Sequence, residues 1–111
     1  MGVRDARLTE EATQTAEDVA GRLTTLGEVT AKTQFGGNGL YESGTMFAIV
    51  DSEGNLFLRA TEETAGRFED RGGHRHGRMP YWSVPSAVVA PDVSLREWAV
   101  VALKLARKMK P

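Results

Sequence analysis

The chain has 111 residues, 41% of them hydrophobic and 26% charged, a composition expected of one globular domain over residues 1–111. Its formal net charge is −1, whereas dedicated binders of nucleic acid or anionic membranes usually carry a clear basic excess. It contains no cysteine, which excludes disulfides, thiolate catalysis and cysteine-ligated zinc. It also lacks an apolar run suited to a signal peptide or membrane span, so we expect a cytoplasmic protein with no membrane partner.

The first predicted element is a helix over residues 10–26. Thr9 is a suitable N-cap, and Gly27 stands where a left-handed C-terminal cap belongs. Apolar residues at helical spacing form one stripe, which comprises Ala12, Ala16, Val19, Ala20, Leu23 and Leu26. A helix with such a stripe needs an apolar partner, and the following segment predicts a sheet.

Residues 30–60 predict an antiparallel meander of three or four short strands, because apolar residues alternate between turn signals at residues 42–44 and 51–55. Successive side chains of a strand point to opposite faces. In the strand between the two turns, alternation therefore predicts two opposed sets, which are Met46, Ala48 and Val50 against Phe47 and Ile49.

The chain after the meander predicts a short helix followed by an edge strand. Thr61 is the expected N-cap of the short helix, which buries Ala65 and Phe68 and ends at the glycine pair 72–73. Pro80 lacks the N–H group that a central strand requires, so the strand beginning at Tyr81 is placed at an edge of the sheet.

The final helix is predicted to begin with a capping box, in which Ser94 and Glu97 each bond the other's backbone N–H. Its expected apolar stripe comprises Leu95, Trp98, Ala102, Leu105 and Met109, with Val101 beside it. Basic residues crowd its last turns, where the negative end of the helix dipole favours them.

No motif predicts catalysis, a cofactor or a bound metal. The glycine cluster Phe35–Gly39 is not followed by the Lys-Ser or Lys-Thr of a phosphate loop, so we interpret it as a bulge or sharp bend between strands. His74 and His76 are too few ligands for a specific zinc site. Ser43 lacks the G-x-S-x-G elbow of a nucleophilic serine. We therefore expect a protein that is not an enzyme.

Two basic patches are the candidate contact surfaces. One surrounds the glycine-rich loop and comprises Arg67, Arg71, Arg75 and Arg78. The other lies on the final helix and comprises Lys104, Arg107 and Lys108. Each patch is suited either to an acidic partner or to a phosphate backbone. The alternative is that both are solvated surfaces, with the helix charges matching the helix dipole.

Three segments carry a family resemblance: LGEVTAKTQFGGNGLYESGTMFAIVDSEGNLFLRATEET, PYWSVP and LREWAVVALKLA. Together they resemble the TfoX/Sxy N-terminal domain family over residues 8–108, with its glycine-rich strand, its Met-Phe-Ala strand and its Trp-containing helix. The residues that match the glycine-rich strand are Phe35, Gly36, Gly37, Gly39 and Tyr41. We expect this motif to be structural.

The resemblance implies an α+β fold of two layers, with helices packed on one face of an antiparallel sheet. The sheet would have four or five strands, and the elements would follow the order α-β-β-β-α-β-β-α. TfoX and Sxy regulate natural competence and assist a transcription factor of the cyclic-AMP receptor type. The resemblance thus implies a regulatory, protein-interaction domain with such a factor as its partner. The alternative is a direct nucleic-acid-binding module that uses both basic patches.

A two-fold homodimer is a further candidate assembly. The meander supplies apolar residues to both faces of the sheet, whereas the two long helices can cover only one of them. The uncovered face, or the edge strand near Tyr81, is the candidate interface. Alternatively, the short helix and the chain termini cover that face within one chain.

Overall fold

A five-stranded antiparallel sheet forms one layer of the fold, and helices packed on one of its faces form the other. The structure is a computed structural model that describes residues 2–34 and 37–109. In chain order the elements are α1 (Gly2–Arg22), β1 (Val29–Gln34), β2 (Gly37–Glu42), β3 (Thr45–Val50), β4 (Leu56–Arg59), α2 (Glu62–Glu69), β5 (Tyr81–Ser83), α3 (Ser86–Val89) and α4 (Asp92–Met109). The predicted fold class is confirmed. The fourth strand, however, precedes the short helix, so the order is α-β-β-β-β-α-β-α-α.

The strands cross the sheet in chain order, from β1 to β5, each antiparallel to its neighbour. The predicted turns join them. Gly44 and Gly54 have φ angles of 88° and 85°, in the region that favours glycine. In the second turn Asp51 Oδ1 accepts hydrogen bonds from the backbone N–H groups of Glu53 and Asn55, at 3.0 and 2.8 Å. Helix α1 packs over β1 and β2, and α4 packs over β3 and β4.

Strict alternation fails in β3 because of a β-bulge. Leu40 of β2 faces Ala48, but the next residue, Tyr41, faces Met46, so Phe47 is an extra residue in β3. The bulge turns Phe47 into the core beneath the helices, together with Ala48, and Phe47 is fully buried there. The prediction that Phe47 shares a face with Ile49 is therefore wrong. Met46 likewise lies away from Ala48, on the opposite face.

A smaller cluster occupies the face of the sheet that the helices leave open. Ile49, Phe57 and Tyr81 are its buried members, and Met46 and Met79 pack against them half-buried. Met79 belongs to the loop between α2 and β5. That loop therefore covers part of the open face, whereas Phe68 of α2 lies in the main core on the other side.

Helix α1 differs from its predicted bounds at both ends. It begins at Gly2, before Thr9, and ends at Arg22, after which a 3-10 turn spans Thr24–Leu26. Two adjacent β-branched threonines in that turn lower the preference for a regular helix. Gly27 has φ 136°, which suits glycine, although its ψ of −151° is not that of a left-handed cap. The predicted stripe is buried from Ala12 to Leu23, and Leu26 is half-buried.

Helix α4 begins at Asp92 and lacks the predicted capping box. The Ser94 hydroxyl instead donates to the carbonyl oxygens of Val88, at 2.7 Å, and Pro91, at 3.2 Å. A capping box is present at α2, where Thr61 and Thr64 each accept a hydrogen bond from the other's backbone N–H. Thr61 is thus confirmed as the N-cap of the short helix.

The buried stripe of α4 is rotated from the predicted one. Its members are Leu95, Trp98, Ala99, Ala102, Leu103 and Ala106. Leu105 is only half-buried, and 56% of Met109 is exposed. Alanines allow the helix to approach the sheet closely, so the apolar stripe follows them and leaves the last methionine outside.

Within residues 2–34 and 37–109, no helix combines the length and apolarity needed to cross a bilayer.

Candidate functional site

Three arginines extend over the rings of two tryptophans beside α2. The guanidinium carbon of Arg67 lies 4.0 Å from the ring centroid of Trp98, and that of Arg71 lies 5.5 Å from it. The guanidinium carbon of Arg75 lies 5.0 Å from the ring centroid of Trp82. These five residues are called the arginine–tryptophan surface below. Cation–π attraction holds such pairs together, and the three arginines remain exposed.

Hydrogen bonds and ring contacts fix the tryptophans of this surface. The Trp82 indole N–H donates to Glu69 Oε2 at 3.0 Å, which joins β5 to the end of α2. Phe68 meets Trp98 edge to face, with ring centroids 4.9 Å apart. Both indoles are nearly buried, at 4% and 7% exposed, so the arginines rest on a rigid base.

The loop that carries Arg75 is itself well organised. Arg75 Nε donates to the Met79 carbonyl at 2.9 Å, and Arg75 Nη2 donates to the Arg78 carbonyl at 3.1 Å. A single β-bridge pairs Arg75 with Trp82, next to β5. Gly72 and Gly77 have φ angles of 86° and 56°, so two reversals of the loop depend on glycine. Around His74–His76 the strand pairing is limited to this bridge.

The predicted basic residues fall into two separate groups. Arg67, Arg71 and Arg75 come together on the tryptophans, whereas Arg78 is exposed without stacking on either ring. The remaining predicted contacts lie in the second half of α4, roughly 9 to 15 Å along the helix from Trp98 at the usual rise per residue. Lys104 and Lys108 are exposed there.

Arg107, the third basic residue of α4, is not a free surface charge. Its Nη2 pairs with Oε1 of Glu42, a carboxylate that is 6% exposed. The Ser43 hydroxyl also donates to Glu42 Oε2, at 2.7 Å. The Ser43 hydrogen bond, and after it Arg107, lowers the pKa of Glu42 below its ordinary value. This ion pair fastens the β2–β3 turn to α4.

The glycine motif acts through the backbone wherever the structure describes it. Phe35 and Gly36 lie outside the described residues. A Cβ atom on Gly37 would stand 2.3 Å from the Val50 carbonyl oxygen, so β3 approaches too closely for any side chain. Gly39 pairs with Lys32 on one side and Ile49 on the other. Tyr41 is half-buried, and the Lys32 ammonium lies 5.3 Å from its ring centroid.

The two histidines of the loop contact an aromatic ring. His74 and His76 meet Phe57 edge to face, with centroids 5.8 and 4.7 Å apart. In the part of the chain that the structure describes, no group of three histidine or acidic side chains is placed to hold a metal ion.

One arginine that the sequence analysis did not single out lines a cavity. This cavity, called the Arg59 cavity below, has a volume of about 310 Å³ and lies beside the β2–β3 turn. It is lined by Tyr41, Gly44, Thr45, Met46, Arg59, Tyr81, Ala106 and Met109. A signal was present in the sequence, because alternation along Leu56–Arg59 places a charged residue on the same face as Phe57.

The match to a known family decides the classification of the chain. The sequence profile described as the TfoX N-terminal domain matches residues 22–106. The chain belongs to the TfoX N-terminal domain family. A comparison with curated proteins finds no match. The matched segment runs from the end of α1 into the last turn of α4, so it contains every described strand of the TfoX N-terminal sheet and the arginine–tryptophan surface.

Proposed function

We propose that this TfoX N-terminal domain is a non-enzymatic regulatory domain of the cytoplasm that acts by binding another protein. The arginine–tryptophan surface is its contact. One observation carries this proposal: three exposed guanidinium groups are held in place on two nearly buried indoles. Arginine and tryptophan are the residue types most enriched among those that dominate binding energy at protein interfaces.

Stacking supports the proposal because it reduces the cost of binding. A free arginine loses side-chain entropy when it is immobilised at an interface. A guanidinium that already lies on an indole loses less, and it retains N–H groups along its edge for a carboxylate. The surface therefore suits an acidic segment of a partner protein. The family resemblance suggests a transcription factor of the cyclic-AMP receptor type, and hence a role in competence.

A direct nucleic-acid-binding module is the second candidate. Exposed Arg78, Lys104 and Lys108 favour it. Two observations weigh on the other side, since Arg107 is neutralised by Glu42 and the chain as a whole has a formal net charge of −1. Phosphate contacts dominate affinity for nucleic acid, so fewer free cations mean weaker binding.

Calorimetric titration of the domain with the host's cyclic-AMP receptor-type factor tests the proposal. The double variant Arg67→Gln/Arg75→Gln should weaken binding at least about 10-fold, the usual effect of losing residues that dominate an interface. The matched control is Lys104→Gln/Lys108→Gln, which removes two charges at the other end of α4 and should bind as the unchanged chain does. Urea unfolding of both variants verifies that they fold.

Equal affinity of the arginine variant and the unchanged chain would contradict the proposal. Titration with a mixed-sequence DNA duplex at increasing salt examines the second candidate. Tight binding at low salt that weakens steeply as salt is added would favour nucleic acid. The slope of the logarithm of affinity against the logarithm of salt concentration should then be smaller by about 2 for the lysine variant.

A further inference from the structure

Arg59 is a half-buried cation without an acidic partner. Its Nε is shut off from solvent, and none of the described residues accepts a hydrogen bond from it. The ion pairs of the described residues join Arg22 to Asp92 and Arg107 to Glu42, so neither involves Arg59. Its contacts are with Tyr81: the guanidinium carbon lies 5.7 Å from the ring centroid, and the guanidinium is near enough to the hydroxyl to oppose the rise of its pKa. A half-buried arginine is stabilised when an anion accepts its hydrogen bonds, so this position suits one.

The walls of the Arg59 cavity provide no such anion. None of its lining residues is an aspartate or glutamate. Glu42, a carboxylate of the adjoining turn, is already bonded to Arg107 and Ser43. The Tyr81 hydroxyl donates to the Met46 carbonyl at 3.3 Å. Burial raises the pKa of Tyr81, against the effect of Arg59, so this phenol stays neutral. Among the described residues, no carboxylate therefore compensates the positive charge of Arg59 beside the cavity.

The other walls suit an apolar group. Met46, Ala106 and Met109 contribute hydrocarbon and thioether surface, and Met109 is one of the most exposed large apolar side chains of the chain, at 56%. Exposed methionines are adaptable surfaces for apolar ligands. A volume of about 310 Å³ lies at the lower end of the range for small-molecule sites.

We propose that the Arg59 cavity binds a carboxylate that carries a short apolar chain. The carboxylate forms a planar, hydrogen-bonded pair with the guanidinium, and the chain lies against Met46 and Met109. A single unpaired cation among neutral hydroxyl groups matches a monoanion better than a phosphate dianion, which would need further donors. The same chemistry is offered by a free small carboxylic acid and by the C-terminal carboxylate of a polypeptide.

This site does not depend on the proposed function. It lies beside the β2–β3 turn and the end of α4, whereas the arginine–tryptophan surface lies beside α2 and β5. Met109 is 11 residues beyond Trp98 in α4, or roughly 16 Å along the helix. Failure of one proposal therefore leaves the other standing.

Two measurements test the proposal. Acetate, hexanoate and hexanamide are each titrated into the protein and followed by two-dimensional NMR, and the unfolding temperature is measured with each of them. Hexanoate should shift backbone resonances around β2–β3 and the end of α4 to saturation, and should raise the unfolding midpoint. Acetate should bind at least about 10-fold more weakly, since it lacks the apolar chain, and the amide should bind at least as weakly, since it lacks the charge. Inorganic phosphate at equal ionic strength should produce no saturable shift.

Three variants make the test specific. Arg59→Met keeps an unbranched apolar stem and removes the cation, so it should abolish hexanoate binding while the unfolding midpoint stays level or rises. Arg59→Lys keeps the charge but loses the planar fork, so hexanoate should bind more weakly than to the unchanged chain. Arg78→Met, an exposed arginine elsewhere, is the matched control and should bind hexanoate normally.

Equal binding of hexanoate and hexanamide would overturn the proposal, and so would hexanoate binding to Arg59→Met at the unchanged affinity. Absence of saturable binding by millimolar hexanoate would also overturn it.

A further experiment distinguishes the two sources of the carboxylate, by comparing acetyl-Leu-Leu that has a free C-terminal carboxylate with the same peptide as its C-terminal amide. If the peptide acid binds at least 10-fold more tightly than hexanoate and the peptide amide does not bind, a polypeptide C-terminus is the ligand. If hexanoate binds more tightly, a free acid is.

Discussion

Trp98 is a large aromatic side chain of α4 that is buried in the core. It is 7% exposed, it meets Phe68 edge to face, and Arg67 covers its outer surface. We expect Trp98→Ala to lower the free energy of unfolding by about 3–5 kcal/mol, because a large aromatic leaves a cavity that its neighbours fill only partly. Urea unfolding measures the change, with Trp98→Phe as a milder control. A midpoint close to that of the unchanged chain would show that this packing is absent.

Gly37 is required by the close approach of β3. Gly37→Ala would place a Cβ atom 2.3 Å from a backbone oxygen, so the strands must move apart. We expect a loss of about 1–3 kcal/mol in the free energy of unfolding, the usual cost of overpacking. The control is Gly66→Ala in α2, where no atom lies within 4 Å of the added Cβ and helix propensity should stabilise the chain by about 1 kcal/mol. Equal effects of the two changes would contradict this account.

At the scale of single residues, local backbone geometry could be predicted from the sequence, whereas contacts between separate elements could not. The glycine turns were predictable because a positive φ is a local property of the backbone. The burial of Phe47 was not, since the bulge exists only in the register between β2 and β3. Alternation indicates the face on which Arg59 lies. It does not indicate that no acidic side chain comes near, because that depends on how separate elements pack.

The elements themselves were largely predictable. The strands of the meander lie between the predicted turns, although the bulge breaks the period of two in β3, and α1 follows its apolar stripe as expected. The predicted stripe of α4 included Leu105 and Met109 and omitted Leu103, which is buried. The structure instead buries Ala99 and Ala106, since close packing of a helix on a sheet selects for small side chains as well as apolar ones. Sequence hydrophobicity alone does not distinguish these two requirements.

The bond between Glu42 and Arg107 should make the attachment of α4 depend on pH. The folded-state pKa of Glu42 lies below its ordinary value of 4.5, so the unfolded chain takes up this proton more readily. The stabilisation is therefore complete above pH 4.5 and is lost as the pH falls through the lower, folded-state pKa.

Urea unfolding from pH 7 to pH 3 should reveal this dependence. Glu42→Gln should be less stable than the unchanged chain at pH 7, and the difference should shrink as the pH falls. The control is Glu53→Gln, which changes an exposed carboxylate at a turn. A difference between Glu42→Gln and the unchanged chain that stays constant over the whole range would rule out a contribution from the charge.

At the scale of the whole molecule, the resemblance predicted the family correctly, whereas the two basic patches stay predicted contact surfaces. The sequence did not show that three arginines rest on tryptophans or that Arg107 is paired internally, because each contact joins residues from different elements. Contacts of this kind decide whether a charged side chain at the surface is available to a partner or is already paired within the chain. The candidate sites were thus only partly predictable.

The homodimer stays a prediction, and the structure changes where its interface is expected. The open face of the sheet was the first candidate, but Ile49, Phe57 and Tyr81 are 2–3% exposed within one chain. The loop after α2 helps to cover them, through Met79. Little apolar surface therefore remains there to drive association of two chains.

We expect the dimer to form through the edge of β1. This six-residue strand is the outer strand of the sheet, so it presents unpaired backbone groups along one side. Lys32 is the charged residue whose repulsion would oppose pairing of two such edges, but its ammonium group lies over the Tyr41 ring. Sedimentation equilibrium at micromolar concentration should show a species of two chains, and Thr33→Lys should dissociate it, because like charges would meet across a two-fold axis. Thr24→Lys, an exposed change away from the edge, is the control. A species of one chain at every concentration would refute the dimer.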